Sequence, residues 1–296
     1  MKKPFNGEKL FTRVAYCVLM ILGAMTLAPV LLLLISSVTD EMTLVQNGYA
    51  FVPAKLSLEA YQALLGQQSA LADAYGNTVA VTLIGTGANV LITLLYAYPL
   101  SRRDFKYRRF FTFLAFFTML FNGGVVPSYI LWTRYLQIKN TLWALVLPNY
   151  LFSAFNVLLI KNYITHTIPG ALTESAEIDG AGETRIFWQI VIPLSTPVIA
   201  TVALFSGIVY WNDWINGLYF ISNKRLYTIQ LLLNEIMSNI QFLSSGLAAM
   251  MGANAKVPSV SYRMAIAALG ILPVVIILPF IQKYLVRGTV IGALKE

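Results

Sequence analysis

Charge is in short supply along this chain. Of 296 residues only 11% are charged, where an ordinary soluble domain carries about a quarter, and that excludes a typical soluble globule. Acids are the scarcer sign, 13 against 21 Lys and Arg, and they compose no paired-carboxylate site. A single cysteine, Cys17, excludes an internal disulfide. A single histidine, His166, has no metal-ligand partner at suitable spacing, so no metal site is expected. Nowhere does a glycine-rich loop with the spacing that cradles nucleotide phosphates occur. Gly85-Thr86-Gly87 only begins a dinucleotide fingerprint, because Val90 stands where the third glycine belongs and no strand precedes it. No catalytic triad or cysteine cluster is present either, so no catalytic residue is expected. Internal repeats and low-complexity tracts are absent, and residues 1–296 read as one domain.

What the chain has instead is apolar length. Hydrophobic residues make up 57%, gathered into runs of about 20, the length a helix needs to cross a bilayer. The pattern predicts an all-α transmembrane protein of about six spans, near 14–38, 77–100, 110–131, 141–163, 194–221 and 264–286. A barrel would need apolar and polar residues to alternate, and Val30 to Ile35 do not. The first run is too long for a cleaved signal core, and more leucines follow Pro29, so it reads as a retained helix. The net charge of +8 belongs to membrane topology rather than to nucleic acid. Lys2, Lys3, Lys9 and Arg13, then Arg102, Arg103, Lys106, Arg108 and Arg109, fall on one side of the spans, which puts both termini in the cytoplasm.

Within this frame, Thr82, Gly85, Thr86, Gly87, Ala88 and Asn89 mark the second span as one packed inside the bundle, since small residues let helix backbones approach. Asn122-Gly123-Gly124 and Pro127 interrupt the third span. Broken backbone at membrane depth belongs against protein or a water-filled path; the plainer reading is a helix end at the outer surface. Two external stretches, 39–76 and 223–262, carry amphipathic segments at Leu58–Leu65 and Thr228–Ile240. Tyr210, Trp211, Asn212, Asp213 and Trp214 close the fifth span. With Asn122 they are the candidates for a solute path, because ring faces offer apolar area while amides and carboxylates bond hydroxyls. The competing reading is an interfacial aromatic belt. Asp213 would repel an acidic solute unless a cation offset it.

The most informative stretch is the loop at about 164–193, on the cytoplasmic side between the fourth and fifth spans. Pro169 suits a helix start, Gly180 a left-handed helix end, and Pro193 a second stop. Two short helices joined at a glycine elbow should therefore lie under the membrane. Glu174, Ser175, Ala176, Asp179, Gly180, Ala181, Phe187, Ile190, Pro193 and Pro197 stand in register with the signature loop of bacterial ABC importer permeases, the EAA loop. Only Ser175 departs, small for small.

The chain thus resembles the permease subunits of binding-protein-dependent carbohydrate ABC importers. Gly123-Gly124, Pro127, Tyr129, Asn140-Thr141 and Tyr210 to Trp214 are similar to the MalG-like branch, and most of all to its members serving oligosaccharides, uronate ones included. The resemblance implies a type I importer permease fold in a bacterial inner membrane. It also implies that residues 169–192 form coupling helices seated in a groove of the ATPase. Partners would be a second, homologous permease, two ATP-binding subunits and an external sugar-binding protein. ATP and magnesium would sit on the ATPases, with no cofactor in this chain. The rival class is an ion-coupled secondary transporter, which would place several ionisable residues near the midplane and show paired broken helices from inverted repeats. Asp213 is the one candidate for the first.

Overall fold

Inside a bilayer no water bonds the backbone, so an apolar chain must close its hydrogen bonds within helices. The computed structural model describes residues 6–66, 68–148, 150–244 and 260–293, and among them it consists of helices joined by turns and loops, with a lone bridge between Thr39 and Leu56. Two compact units form. One holds Met1–Gln68 with Glu235–Leu272, the other Ser69–Asn234 with Pro273–Glu296.

In the first unit, α1 (Asn6–Ser37) carries an apolar run over Lys9–Ser37 that the chain leaves largely uncovered, only Ser36 and Ser37 at its end being buried. That surface demands lipid or protein around it. Beyond α1, Ser37 shares a 2.8 Å hydrogen bond with Tyr61 of α3 (Glu59–Leu65). Asp40 caps α2 (Glu41–Asn47) through the Thr43 N–H and pairs with Lys55 at 3.0 Å. Glu41 accepts the N–H groups of Val260 and Ser261 at 3.0 and 2.9 Å, where α15 (Val260–Ala293) begins. A carboxylate belongs there, at a helix end rich in unpaired N–H groups.

The second unit is built around α4 (Gln68–Ser101). Of the expected spans, three helices among the described residues are long and apolar enough to cross a membrane unbroken, at Lys9–Ser37, Ala70–Ser101 and Val260–Ile277. Two more crossings require bent pairs. The first is α5 (Arg108–Leu120) with α6 (Val125–Ile130), which runs on through a wide π turn to Tyr135, bent by 110°. At Asn122-Gly123-Gly124 the chain leaves one helix and enters the next at that angle. Asn122 Oδ1 accepts the Gly124 N–H at 2.8 Å, and Gly124 sits at φ +85°, where a side chain would strain.

The expected span at 141–163 differs most. It comprises α7 (Trp143–Val146), an unwound stretch around Pro148, and α8 (Ala154–Thr167). Pro148 cannot continue the ladder, and four carbonyls in and beside the unwound stretch find side chains instead. Val146 O accepts from Tyr210 Oη at 2.9 Å, Pro148 O from Asn216 Nδ2 at 3.1 Å, and Tyr150 O and Leu151 O from Asn89 Nδ2 at 2.8 and 3.2 Å. Hydropathy sees the apolar run but not these partners.

The remaining pieces follow in order. The loop helices α9 (Gly170–Ile178), α10 (Glu183–Ile186) and α11 (Ile192–Leu194) lead into α12 (Thr196–Trp211), α13 (Ile215–Phe220) and α14 (Ile229–Ser244). Asn89, Asn156 and Ser206, all buried, tie α4, α8 and α12 together: Asn89 Oδ1 accepts from Ser206 Oγ at 2.6 Å and from Asn156 Nδ2 at 3.4 Å. At its far end α4 is fastened again. Asn77 Nδ2 donates to Arg225 O and Tyr227 O at 2.7 and 3.1 Å, and Thr78 Oγ1 accepts the Ile229 N–H at 2.8 Å.

One turn in this unit invites a direct test. Asn140 lies at φ +59°, and its Oδ1 accepts the N–H groups of Ser222 and Asn223 at 2.6 and 3.1 Å. Asn140→Ala should lose both bonds and add left-handed strain, together about 2–3 kcal/mol. Asn140→Gly relieves the strain and loses only the bonds, so its thermal unfolding in detergent should fall between alanine and wild type. Equal losses in the two variants would assign the whole effect to the hydrogen bonds.

Candidate functional site

The residues marked in the loop assemble into one hairpin. Its elbow has a specific hydrogen-bond pattern: the Ala181 N–H reaches Ala176 O at 2.9 Å and the Gly180 N–H reaches Glu177 O at 3.0 Å. With Gly180 at φ +81°, this is a Schellman helix end, in which a glycine turns left-handed and the residue after it packs back on the helix. Ala176 and Ala181 are those two packing residues, both half-buried against the core. The spacing from Ala176 through Asp179-Gly180 to Ala181 is thus the spacing of the turn itself. A Cβ at Gly180 would meet nothing of this chain. Within the chain it is φ, not space, that requires glycine at the elbow.

Past the elbow, Phe187 is buried with its ring 5.2 Å from that of Tyr98 on α4. Residues 187–191 widen into a π turn, because Pro193 has no N–H to give Gln189 O and its ring would clash there. The chain then bends by 78° into α12. Glu174, Ser175, Asp179 and Gly180 face outward. So do Ile178, 86% exposed, and Trp188, 53% exposed. The hairpin therefore presents an apolar and acidic surface that its own chain leaves uncovered.

What fixes the hairpin was not legible as a site. Arg102, just past α4, bonds Glu177 on α9 and, at 3.0 Å, Glu183 on α10, with Asp104 3.3 Å away. Tyr98 Oη donates to the other Glu183 oxygen. One guanidinium thus holds both arms across the elbow. Burial works to lower the Arg102 pKa, but the hydrogen bond to Glu177 and the charges of Glu183 and Asp104 outweigh it and move it upward. The available signal was two scarce acids flanking a glycine elbow beside an arginine previously read only for topology.

The second candidate group lies at the opposite end of α12. Tyr210 is buried, its ring lying over Gly85, where an added Cβ would approach Tyr210 Cζ to 2.5 Å. Asp213 is 5% exposed: Oδ1 accepts the N–H groups of Ile215 and Asn216 at 3.0 and 3.1 Å and the Tyr150 hydroxyl at 3.3 Å, opening α13. Trp211 is buried too, whereas Asn212 is exposed and Trp214 partly so. A cavity of about 570 Å³ opens beside Tyr210, with Asn89, Asn156 and Ser206 among its polar lining and Tyr150, Phe152 and Phe205 among its rings. Asn122 and residues 211–214 do not line it.

Comparison with known proteins gives a consistent result. A family model described as "Binding-protein-dependent transport system inner membrane component" matches residues 89–291. The polygalacturonan/rhamnogalacturonan transport system permease protein YtcP of Bacillus subtilis is 33% identical, covering 97% of this chain and 99% of the relative. Protein LplC of the same organism is 34% identical over 92% of this chain and 90% of its own length. Among solved structures, a bacterial ABC transporter involved in the import of the acidic polysaccharide alginate has a chain 27% identical to this one. It superposes with a TM-score of 0.79 over 96% of this chain and 99% of its own.

Proposed function

This chain belongs to the family of binding-protein-dependent transport system inner membrane components, and from that premise we propose that it is the permease subunit of an ATP-driven importer of acidic oligosaccharides. It is a multi-pass inner-membrane protein with the type I importer permease fold. It contributes half of the translocation path and no chemistry of its own. A second, homologous permease supplies the other half, two ATPase subunits hold ATP and magnesium, and an external binding protein delivers the sugar. The hairpin at 169–192 and both termini face the cytoplasm.

The observation that carries this reading is the hairpin. An exposed Ile178 and Trp188 on a loop fixed by a glycine turn and by Arg102 are what a docking knob needs: apolar surface to bury in a partner and a geometry set before contact. ATP-driven closure of the ATPases moves the knob, and the path turns outward, a shift between two states each favoured by a different partner. The acidic-sugar reading is supported by the substrates of two similar transporters, polygalacturonan with rhamnogalacturonan and alginate. A sugar of either kind fits the cavity, where amides, hydroxyls and rings suit a pyranose. Asp213 does not itself line that cavity, and its Oδ1 is engaged at the start of α13 and by the Tyr150 hydroxyl.

The test is a pair of elbow variants in the reconstituted complex. A non-glycine residue in the left-handed region costs about 1–2 kcal/mol, enough to cut the population of correctly turned hairpins about 5–30-fold. Gly180→Ala should accordingly lower binding-protein-stimulated ATP hydrolysis and uptake of oligogalacturonate by about tenfold, and Gly180→Asn, which tolerates that region better, by less. Uptake that persists without any ATPase would overturn the importer reading in favour of ion coupling.

A further inference from the structure

Four cations of this chain converge on one cavity without an acid among them. It measures about 570 Å³ and is lined by Arg103, by Arg108 and Arg109 at the start of α5, and by Lys161 of α8, with Phe113 and Phe116 as its apolar wall. None of the four forms a salt bridge among the described residues. Arg103 also borders a neighbouring cavity with Asp104, Glu174 and Glu177, of which Asp104 and Glu177, like Glu183, pair with Arg102. Tyr107 provides no side-chain cap for α5, so the positive end of that helix adds to the potential.

The wall gives the cavity its direction. Phe113 is 62% exposed, and Phe110 and Phe117 of the same helix are open as well. Arginines and lysines at one end of an aromatic helix face, in a chain that spans a bilayer, sit at headgroup depth with hydrocarbon beside them. A soluble anion would satisfy the cations and leave the phenylalanines bare. A lipid satisfies both, its phosphodiester among the guanidinium groups and its acyl chains along α5. Basic pockets between transmembrane helices bind anionic headgroups by this chemistry.

We propose that Arg103, Arg108, Arg109 and Lys161 form a binding site for the phosphodiester headgroup of an anionic membrane lipid, with Phe113 and Phe116 seating its acyl chains. The site is separate from the solute path and from the hairpin's exposed knob. Its occupancy does not depend on which solute the importer carries.

The experiment is native mass spectrometry of the full-length chain in detergent, titrated with phosphatidylglycerol or phosphatidylcholine of matched acyl chains. Each Lys or Arg near an anionic surface is worth about fivefold in affinity, so Arg108→Gln/Arg109→Gln/Lys161→Gln together should weaken phosphatidylglycerol binding about a hundredfold. Phosphatidylcholine adducts should not change. In the unmodified chain, phosphatidylglycerol should be retained over phosphatidylcholine at equal concentration, a result that needs no variant to fold. Equal retention of the two lipids, or unaltered phosphatidylglycerol binding by the triple variant, would overturn the site. Displacement of phosphatidylglycerol by glycerol 3-phosphate at comparable concentration would overturn the lipid and leave a soluble phosphate as occupant.

Discussion

Gly85→Val is expected to destabilise the chain by about 1–5 kcal/mol. The built Cβ falls 2.5 Å from Tyr210 Cζ, and forcing extra carbon into a packed core costs about 1–3 kcal/mol, occasionally more. Tyr210 cannot yield cheaply. It is buried, and its hydroxyl satisfies Val146 O at 2.9 Å in the unwound stretch. Moving the ring leaves that carbonyl without its partner, at about 1–3 kcal/mol more. Against this, removing a glycine from a helix interior returns at most about 1 kcal/mol, so the clash wins. Tyr210→Phe, which removes the hydroxyl alone, should cost about 1 kcal/mol. Adding Tyr210→Leu to Gly85→Val should relieve the clash but not restore the bond to Val146 O, and so recover only part of the loss. Thermal unfolding in a mild detergent reads all three, and a Gly85→Val chain that melts with wild type would refute the contact.

Arg102→Ala is expected to do the reverse: little to stability, much to function. Its acidic partners Glu177 and Glu183 are 42% and 55% exposed, and exposed ion pairs contribute about 0.2–1 kcal/mol each. Unfolding should therefore move by about 1–2 kcal/mol at most. The hairpin, however, loses the one group that bridges α9 and α10. A population shift of about 1.4 kcal/mol away from the docking geometry already means a tenfold loss, and binding-protein-stimulated ATP hydrolysis should fall by at least about that factor. Arg102→Lys keeps the charge but not the fork that reaches two carboxylates, and should lie between. If stimulated hydrolysis survives Arg102→Ala, the guanidinium does not position the loop.

The two predictions rest on residues of unequal legibility. The loop was readable because its spacing is local: Ala176, Gly180 and Ala181 are close in sequence, and a helix end closed by glycine leaves the same mark wherever it occurs. The break at Gly124 was readable for the same reason. Arg102 could be seen, but not its role, because Glu177 and Glu183 lie far along the chain and only the folded unit brings them to it. The stretch at 141–163 read as one span since hydropathy averages over Pro148 and knows nothing of Asn89, Asn216 or Tyr210 waiting for the carbonyls in and beside the unwound stretch. Asn89, Asn156 and Ser206 escaped for a related reason. Singly they are polar residues in apolar runs, and only their mutual bonds make them a junction. Asp213 was noticed as an ion in a span, whereas its neighbours show a carboxylate that opens a helix and meets a tyrosine hydroxyl.

Helix α4 deserves a mechanical reading. It is a rod about 50 Å long, one end gripped with the hairpin through Tyr98 and Arg102, the other stitched to residues 225–229 through Asn77 and Thr78. Between the grips its middle is pinned by Asn89 to α8 and α12. Such a rod is a lever with a fulcrum. If the hairpin is the ATPase contact we propose, a displacement there has one continuous helix, and no loop, between it and the segment at 225–229.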